Sequence, residues 1–184
     1  MFRYEIGDDA ELRMLENRHA EELFALVDRN REHLRKWLPF LDATTSVEDE
    51  RGFIKGSLER FASDGSFAAG IWFKGKIAGG IGLHGIDWVS KKTSIGYWIS
   101  EDCQGNGLVT RSCIALVDYA INELALNRVE MHVAPENTKS RAIPERLGFT
   151  QEGILRQAAW QYDHYLDLVV YAMLSDEWKN KGGQ

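Results

Sequence analysis

The run Thr93-Ser-Ile-Gly-Tyr-Trp-Ile-Ser-Glu-Asp-Cys-Gln-Gly-Asn-Gly-Leu-Val-Thr110 decides the fold. Its first eight residues, Thr93 to Ser100, read as a buried strand. Gln104 to Gly107 is a glycine-rich loop. Beyond it Thr110, Cys113, Ile114, Val117, Ala120, Ile121 and Leu124 recur at helical spacing and mark a long amphipathic helix. Gly105 and Gly107 admit backbone angles that let successive N–H groups converge into a nest. The helix start adds unbonded donors and a positive end. This construction suits a pyrophosphate. From the loop alone, a plain left-handed turn entering a helix fits equally well. No Gly-Lys-Ser/Thr follows, so it is not a Walker loop.

Upstream, Ala20, Leu23, Phe24 and Val27 fall at i, i+3, i+4 and i+7, and the stripe reaches Leu34 and Trp37 before Pro39 interferes. A second helix fits Val47 to Ala62. Ser46 and Asp49 form a capping-box-like start, and Ile54, Leu58 and Phe61 its buried stripe. Phe67 to Phe73 and Lys76 to Leu83 read as strands joined by a Lys74-Gly75 hairpin turn. Downstream, Val129 to Val133 is a short strand and Asn137 to Leu147 is helical. Phe149 to Leu155 and Tyr165 to Leu174 are closing strands. Helices, an antiparallel meander, then strand-helix-strand-helix-strand predict an α/β (α+β) domain with a mixed sheet. One domain is expected over residues 1–178, followed by a frayed tail at 179–184.

The chain has 184 residues, 44% of them apolar and 27% charged, which suits a single packed domain and argues against disorder. Apolar runs are too short for a membrane span. The start lacks the apolar stretch of a signal peptide, so a cytoplasmic protein with reduced Cys103 and Cys113 is expected. Twenty-two basic against 28 acidic residues give a net charge of −6. That balance lowers the expectation of nucleic-acid binding and modestly favours cationic partners.

Gly80-Ile-Gly-Leu-His-Gly85 matches the dinucleotide signature GxGxxG, but no helical stripe follows it. Its glycines fit better inside a strand, where another backbone comes close. His19, His33, His84, His132 and His164 are scattered without metal-ligand spacing. There is no Gly-x-Ser-x-Gly elbow.

Asn137-Thr-Lys-Ser140 opens a helix that Gly148-Phe149 closes. Together with the loop, this resembles the GCN5-related N-acetyltransferase superfamily. Its pattern is Gln/Arg-x-x-Gly-x-Gly/Ala, then Asn-x-x-Ser/Ala and a downstream Gly-Phe. The matching positions are Gln104, Gly107, Val109, Asn137, Ser140, Gly148 and Phe149. Leu34-Arg-Lys-Trp37-Leu-Pro39, Ile95-Gly-Tyr-Trp98, Glu152-Gly-Ile-Leu-Arg156 and Tyr165-Leu-Asp167 with Tyr171 are similar to its RimJ/RimL ribosomal-protein branch. Three positions depart from the pattern. Val109 stands where Gly or Ala is usual, Pro144 where many members carry a Tyr proton donor, and Ala159 where some carry an acidic base.

The resemblance implies a single-domain, mostly antiparallel sheet flanked by helices. It implies transfer of the acetyl group of acetyl-CoA to an amine, without a metal. The cofactor-binding residues it implies are Gln104, Gly105, Asn106, Gly107, Leu108, Val109 and Thr110 at the pyrophosphate. Tyr97, Trp98 and Ile99 would pair with pantetheine, and Asn137 and Ser140 would also contact the cofactor. Ser140 is the candidate donor to the departing thiolate and Glu101 the candidate for helping deprotonation, through water. Trp37 and Phe40 would line the acceptor groove. Arg111, Lys139 and Arg141 are cations available to CoA phosphates. The expected acceptor is the N-terminal α-amine of a protein such as a ribosomal protein. A polyamine or small-amine acetyltransferase and a non-catalytic CoA-binding module are the alternatives. A homo-oligomer is compatible with this reading.

Overall fold

The structure is a computed structural model and describes residues 3–182. Its elements are β1 (Arg3–Glu5), β2 (Ala10–Met14), α1 (Ala20–Arg29), α2 (Arg31–Arg35), α3 (Val47–Ala62), β3 (Phe67–Phe73), β4 (Lys76–Asp87), β5 (Lys92–Ile99), α4 (Leu108–Asp118), β6 (Arg128–Val133), α5 (Thr138–Leu147), β7 (Thr150–Gln161), β8 (His164–Leu174) and α6 (Ser175–Asn180). The strands form one sheet in the order β1-β2-β3-β4-β5-β6-β8-β7. The pairs β1–β2, β2–β3, β6–β8 and β7–β8 are antiparallel, and β5–β6 is parallel. This is the expected mixed, mostly antiparallel sheet with helices.

The chain divides into two compact units, residues 3–82 with 97–112 and residues 83–96 with 113–182. In the first unit, α1 buries Ala20, Leu23 and Leu26 with Ile54 of α3, Trp72 of β3 and Ile77 of β4. At roughly 1.5–3 kcal/mol for each large side chain removed from water, this cluster is a main source of the unit's stability. Trp98 packs against it and against a second cluster of Val27, Leu34 and Leu41. The helix expected to run unbroken toward Trp37 is divided at Asn30, which ends α1 with non-helical angles. β1 and β2, which hydrophobic patterning did not reveal, extend the sheet, with Ala10 and Leu12 of β2 buried.

Helix α3 begins and ends where the pattern placed it. Ser46 Oγ accepts the Asp49 amide at 3.3 Å, and Asp49 accepts the Ser46 amide at 2.8 Å. Its buried face follows expectation only in part. Ile54 is buried as expected, but its buried neighbours are Glu50 and Ser57, whereas Leu58 and Phe61 are exposed. Ile54 belongs to both helical stripes and shares an apolar cluster with Ala20, Leu23 and Leu26 of α1.

The GxGxxG glycines sit inside β4. A Cβ at Gly80 would lie 2.7 Å from Trp98 Nε1, and one at Gly82 would lie 2.5 Å from the Phe67 carbonyl oxygen. Close approach of neighbouring strands, not nucleotide binding, explains these two glycines.

In the second unit, Val129 and Met131 of β6 are fully buried beside Val169, Tyr171 and Met173 of β8. β7 runs on to Gln161, well past the expected Leu155, whereas β8 starts one residue before the expected Tyr165 and ends at the expected Leu174. A register shift between Leu155 and Ala159 is clamped by Asp167, which accepts the Gln157 amide at 2.8 Å. Helix α6 was not anticipated. Trp178 is buried and donates to Asp118 at 2.6 Å, while Lys181 donates to the Gly148 carbonyl at 2.7 Å. Residues 179 and 180 of the expected tail are therefore helical, and 183–184 lie outside the described residues.

Candidate active site

The loop in the first unit has the geometry that its glycines suggested. β5 ends at Ile99, a short turn occupies Glu101–Cys103, and α4 starts at Leu108. Gly105 has φ +77° and Gly107 φ +70°, a left-handed conformation that side chains disfavour. Nothing lies within 4 Å of a Cβ built on either residue, so the space beside each of these glycines is open. The Arg111 amide bonds to the Gly107 carbonyl at 3.0 Å as the first helical bond of α4. Amides of the first helical turn precede that bond and have no acceptor within the helix. Such a turn with the positive helix end is a construction that suits an anion. Leu108 and Val109 are buried and anchor the turn, whereas Gly105, Asn106 and Gly107 are exposed. Val109 thus fills the position usually held by Gly or Ala by turning its side chain into the protein.

Polar ties hold this otherwise open turn. Asn106 Nδ2 donates to the carbonyls of Cys103 at 3.1 Å and Gln104 at 3.2 Å. Arg111 reaches Asp9 at 3.5 Å and the Asn106 carbonyl at 3.4 Å. Its charge is therefore shared with a carboxylate. The Glu101 amide donates to Asn30 Oδ1 at 3.0 Å, and Asn30 Nδ2 donates to the Leu26 carbonyl at 2.9 Å. Glu101 itself is exposed, with Oε1 3.9 Å from His33 Nδ1. Asn30 and His33 carried no motif in the sequence, and both partners of His33 are about 70 residues away.

Tyr97, Trp98 and Ile99 form the end of β5. The β5–β6 ladder pairs Lys92–Ser94 with Arg128–Glu130. Tyr97–Ile99 lie past that ladder, where an extended amide chain could add as a strand does. Trp98 is partly buried against both apolar clusters of the unit. Trp37 is half-buried and Phe40 is 49% exposed, so both present aromatic surface.

In the second unit, Asn137 caps α5, its Oδ1 accepting the Ser140 amide at 3.3 Å. Ser140 lies in the first helical turn and is half-buried. α5 is continuous through Pro144, whose ring removes the N–H that would bond the Ser140 carbonyl. The expected cation Arg141 is committed to structure. It donates to the Tyr171 hydroxyl at 2.9 Å and the Pro135 carbonyl at 3.2 Å. Lys139 is exposed. Gly148 at φ +72° closes α5, with the Phe149 amide on the Pro144 carbonyl at 2.9 Å.

Other groups offer little chemistry. Burial pushes the Cys113 thiol up, out of its reactive range. His132 bonds Glu130 at 2.8 Å within an ion network with Arg128. Among the described residues no cluster of three or more His, Cys, Asp or Glu side chains could hold a metal. Among them, no helix is long and apolar enough to cross a membrane.

Comparison with known proteins bears on this geometry. The family description "Acetyltransferase (GNAT) domain" matches residues 10–150. A Bacillus subtilis (strain 168) protein named "Putative ribosomal N-acetyltransferase YdaF" is 38% identical over 182 residues, 98% of this chain and 100% of the relative. Two solved structures superpose closely. RimL, a ribosomal L7/L12 alpha-N-protein acetyltransferase in complex with coenzyme A, has a TM-score of 0.90 at 27% identity, covering 95% of this chain and 99% of its own. The microcin C7 self-immunity acetyltransferase MccE, in complex with acetyl-CoA and AMP, has a TM-score of 0.89 at 28% identity, covering 92% and 94%.

Proposed function

The chain belongs to the GNAT acetyltransferase family, and from that premise we propose that its acceptor is the N-terminal α-amine of a protein, a ribosomal protein in particular. The reaction is N-acetyl transfer, with acetyl-CoA supplying the acetyl group as its thioester. The observation that carries the cofactor site is the left-handed pair Gly105 and Gly107 at the start of α4. The open space beside these glycines suits a pyrophosphate, and Tyr97–Ile99 supply backbone for pantetheine.

The α-amine reading rests on proton chemistry and on likeness. An acceptor amine must be neutral to attack. At pH 7 deprotonation costs about 1 kcal/mol for an α-amine of pKa near 7.7–8.0, and about 4.6 for a lysine near 10.4. Glu101 is exposed and solvated, which suits it to take the proton through water as the N–C bond forms. Ser140 is the donor to the sulfur when the C–S bond breaks. Pro144 cannot take that part, because its side chain has no proton to give. Trp37 and Phe40 offer the acceptor an aromatic surface. RimL acts on an α-amine of ribosomal protein L7/L12, and its likeness to this chain favours the same class.

Two peptides test this reading. One has a free N-terminus and no lysine; the other has a blocked N-terminus and several lysines. Thiol release is followed with acetyl-CoA, and mass spectrometry locates the acetyl group. Acetylation of the free N-terminus is expected. Preference for the blocked peptide contradicts the α-amine reading. Reaction with neither peptide but turnover on spermidine or an aminoacyl nucleotide redirects it to a small amine.

A further inference from the structure

Two side chains from the α1–α2 junction bond to the turn between β5 and α4. Asn30 ends α1, and His33 lies one turn later on α2. Asn30 accepts the Glu101 amide at 3.0 Å, fixing the start of the turn. His33 Nε2 lies 2.9 Å from Gln104 Nε2. A side-chain amide nitrogen can only donate, so His33 Nε2 accepts. The imidazole proton then sits on Nδ1, the atom that faces Glu101 Oε1 at 3.9 Å.

We propose that His33 is a positioning residue for acetyl-CoA: by accepting the Gln104 side-chain amide, it holds the 104–107 turn in its cofactor-binding shape. This rests on the reading of that turn as the pyrophosphate site. Gln104 immediately precedes Gly105, the first left-handed residue of the nest. Nothing lies within 4 Å of a Cβ built on Gly105 or Gly107. Buried Leu108 and Val109 anchor the helix end of the turn, and polar ties hold the 104–107 end; a turn ordered before binding avoids the ordering penalty at binding. The His33 tie joins the turn to the protein body through the side chain of its first residue. His33 Nε2 is occupied by Gln104 and its Nδ1 faces Glu101 at 3.9 Å, so the residue touches neither cofactor nor acceptor itself and acts through the turn.

A double-mutant cycle on coenzyme A affinity provides the test. His33→Ala and Gln104→Ala are each expected to raise the Kd about tenfold. The double variant should be no weaker than either single variant. In His33→Ala the KM for acetyl-CoA should rise by a larger factor than kcat falls. His33→Gln, which restores an acceptor at similar reach, should return the Kd to within about threefold of wild type. Additive losses in the cycle, an unchanged Kd in His33→Ala, or failure of His33→Gln to improve on His33→Ala in folded protein overturns the proposal. Gly107→Val is run in parallel. If it leaves coenzyme A binding intact, the loop reading itself fails. If it abolishes binding while the His33 variants bind normally, only the positioning role fails.

Discussion

Asn137 Oδ1 accepts the backbone N–H of Ser140 at 3.3 Å, so the residue that caps α5 also holds the backbone that carries the candidate thiolate donor. The two roles separate by mutation. Asn137→Ala removes the cap and should lower stability by about 1 kcal/mol. Ser140→Ala keeps the cap's acceptor and its backbone donor. It should lower kcat by tenfold or more while the KM for acetyl-CoA changes less than threefold, because the hydrogen bond matters most as sulfur gains charge. Steady-state kinetics with varied acetyl-CoA distinguish these outcomes. A change confined to KM would make Ser140 a binding residue only.

Glu50 makes stability depend on pH. It is 4% exposed on α3, and burial, with the Asp49 carboxylate adjacent, pushes its carboxyl up to about 7. The folded value lies above the unfolded value near 4.5, so the folded chain favours the protonated acid. That contribution is complete below about pH 4.5 and is lost as pH rises through 7. Glu50→Gln is neutral at every pH. It should be more stable than wild type by about 2 kcal/mol at pH 8, allowing for solvent screening, and no more stable at pH 4.5. Urea unfolding of both proteins at the two pH values measures the difference.

Tyr171 ties α5 to β8. Its hydroxyl donates to Glu145 at 2.7 Å and accepts from Arg141 at 2.9 Å, and the residue is 1% exposed. Burial and the Glu145 carboxylate push its pKa up. Tyr171→Phe keeps the ring and removes two hydrogen bonds to charged groups. It should reduce stability by about 1–2 kcal/mol, since Arg141 and Glu145 can still pair with each other. Thermal unfolding should show a fall of about 2–6 °C.

The parts of the fold specified by near neighbours were legible in the sequence. The Ser46–Asp49 box lies within one helical turn and marked the start of α3 correctly. The Gly105–Gly107 spacing likewise marked the left-handed positions of the loop, because such angles are a local requirement of the chain. What the sequence hid depends on distant partners. Asn30 breaks the first helix, and its side chain is engaged by the Glu101 amide, 71 residues away. His33 belongs to the site only through Glu101 and Gln104. Trp178 organises α6 through Asp118, 60 residues earlier. On α3, helical spacing groups Ile54 with Leu58 and Phe61, but the chain buries Ile54 with Glu50 and Ser57. No periodicity argument favours a buried carboxylate.

The claim that acetyl-CoA is held by the Gly105–Thr110 turn is tested most directly by calorimetric titration of coenzyme A into wild-type and Gly107→Val protein. Gly107 has φ +70°, and its open side is where the phosphates would lie. A β-branched side chain both strains that backbone and fills the nest. A strained residue costs on the order of 1–3 kcal/mol before any clash with the ligand. Affinity should therefore fall by roughly thirtyfold or more, while circular dichroism shows the same folded content. Unchanged coenzyme A affinity in folded Gly107→Val protein would contradict the assignment.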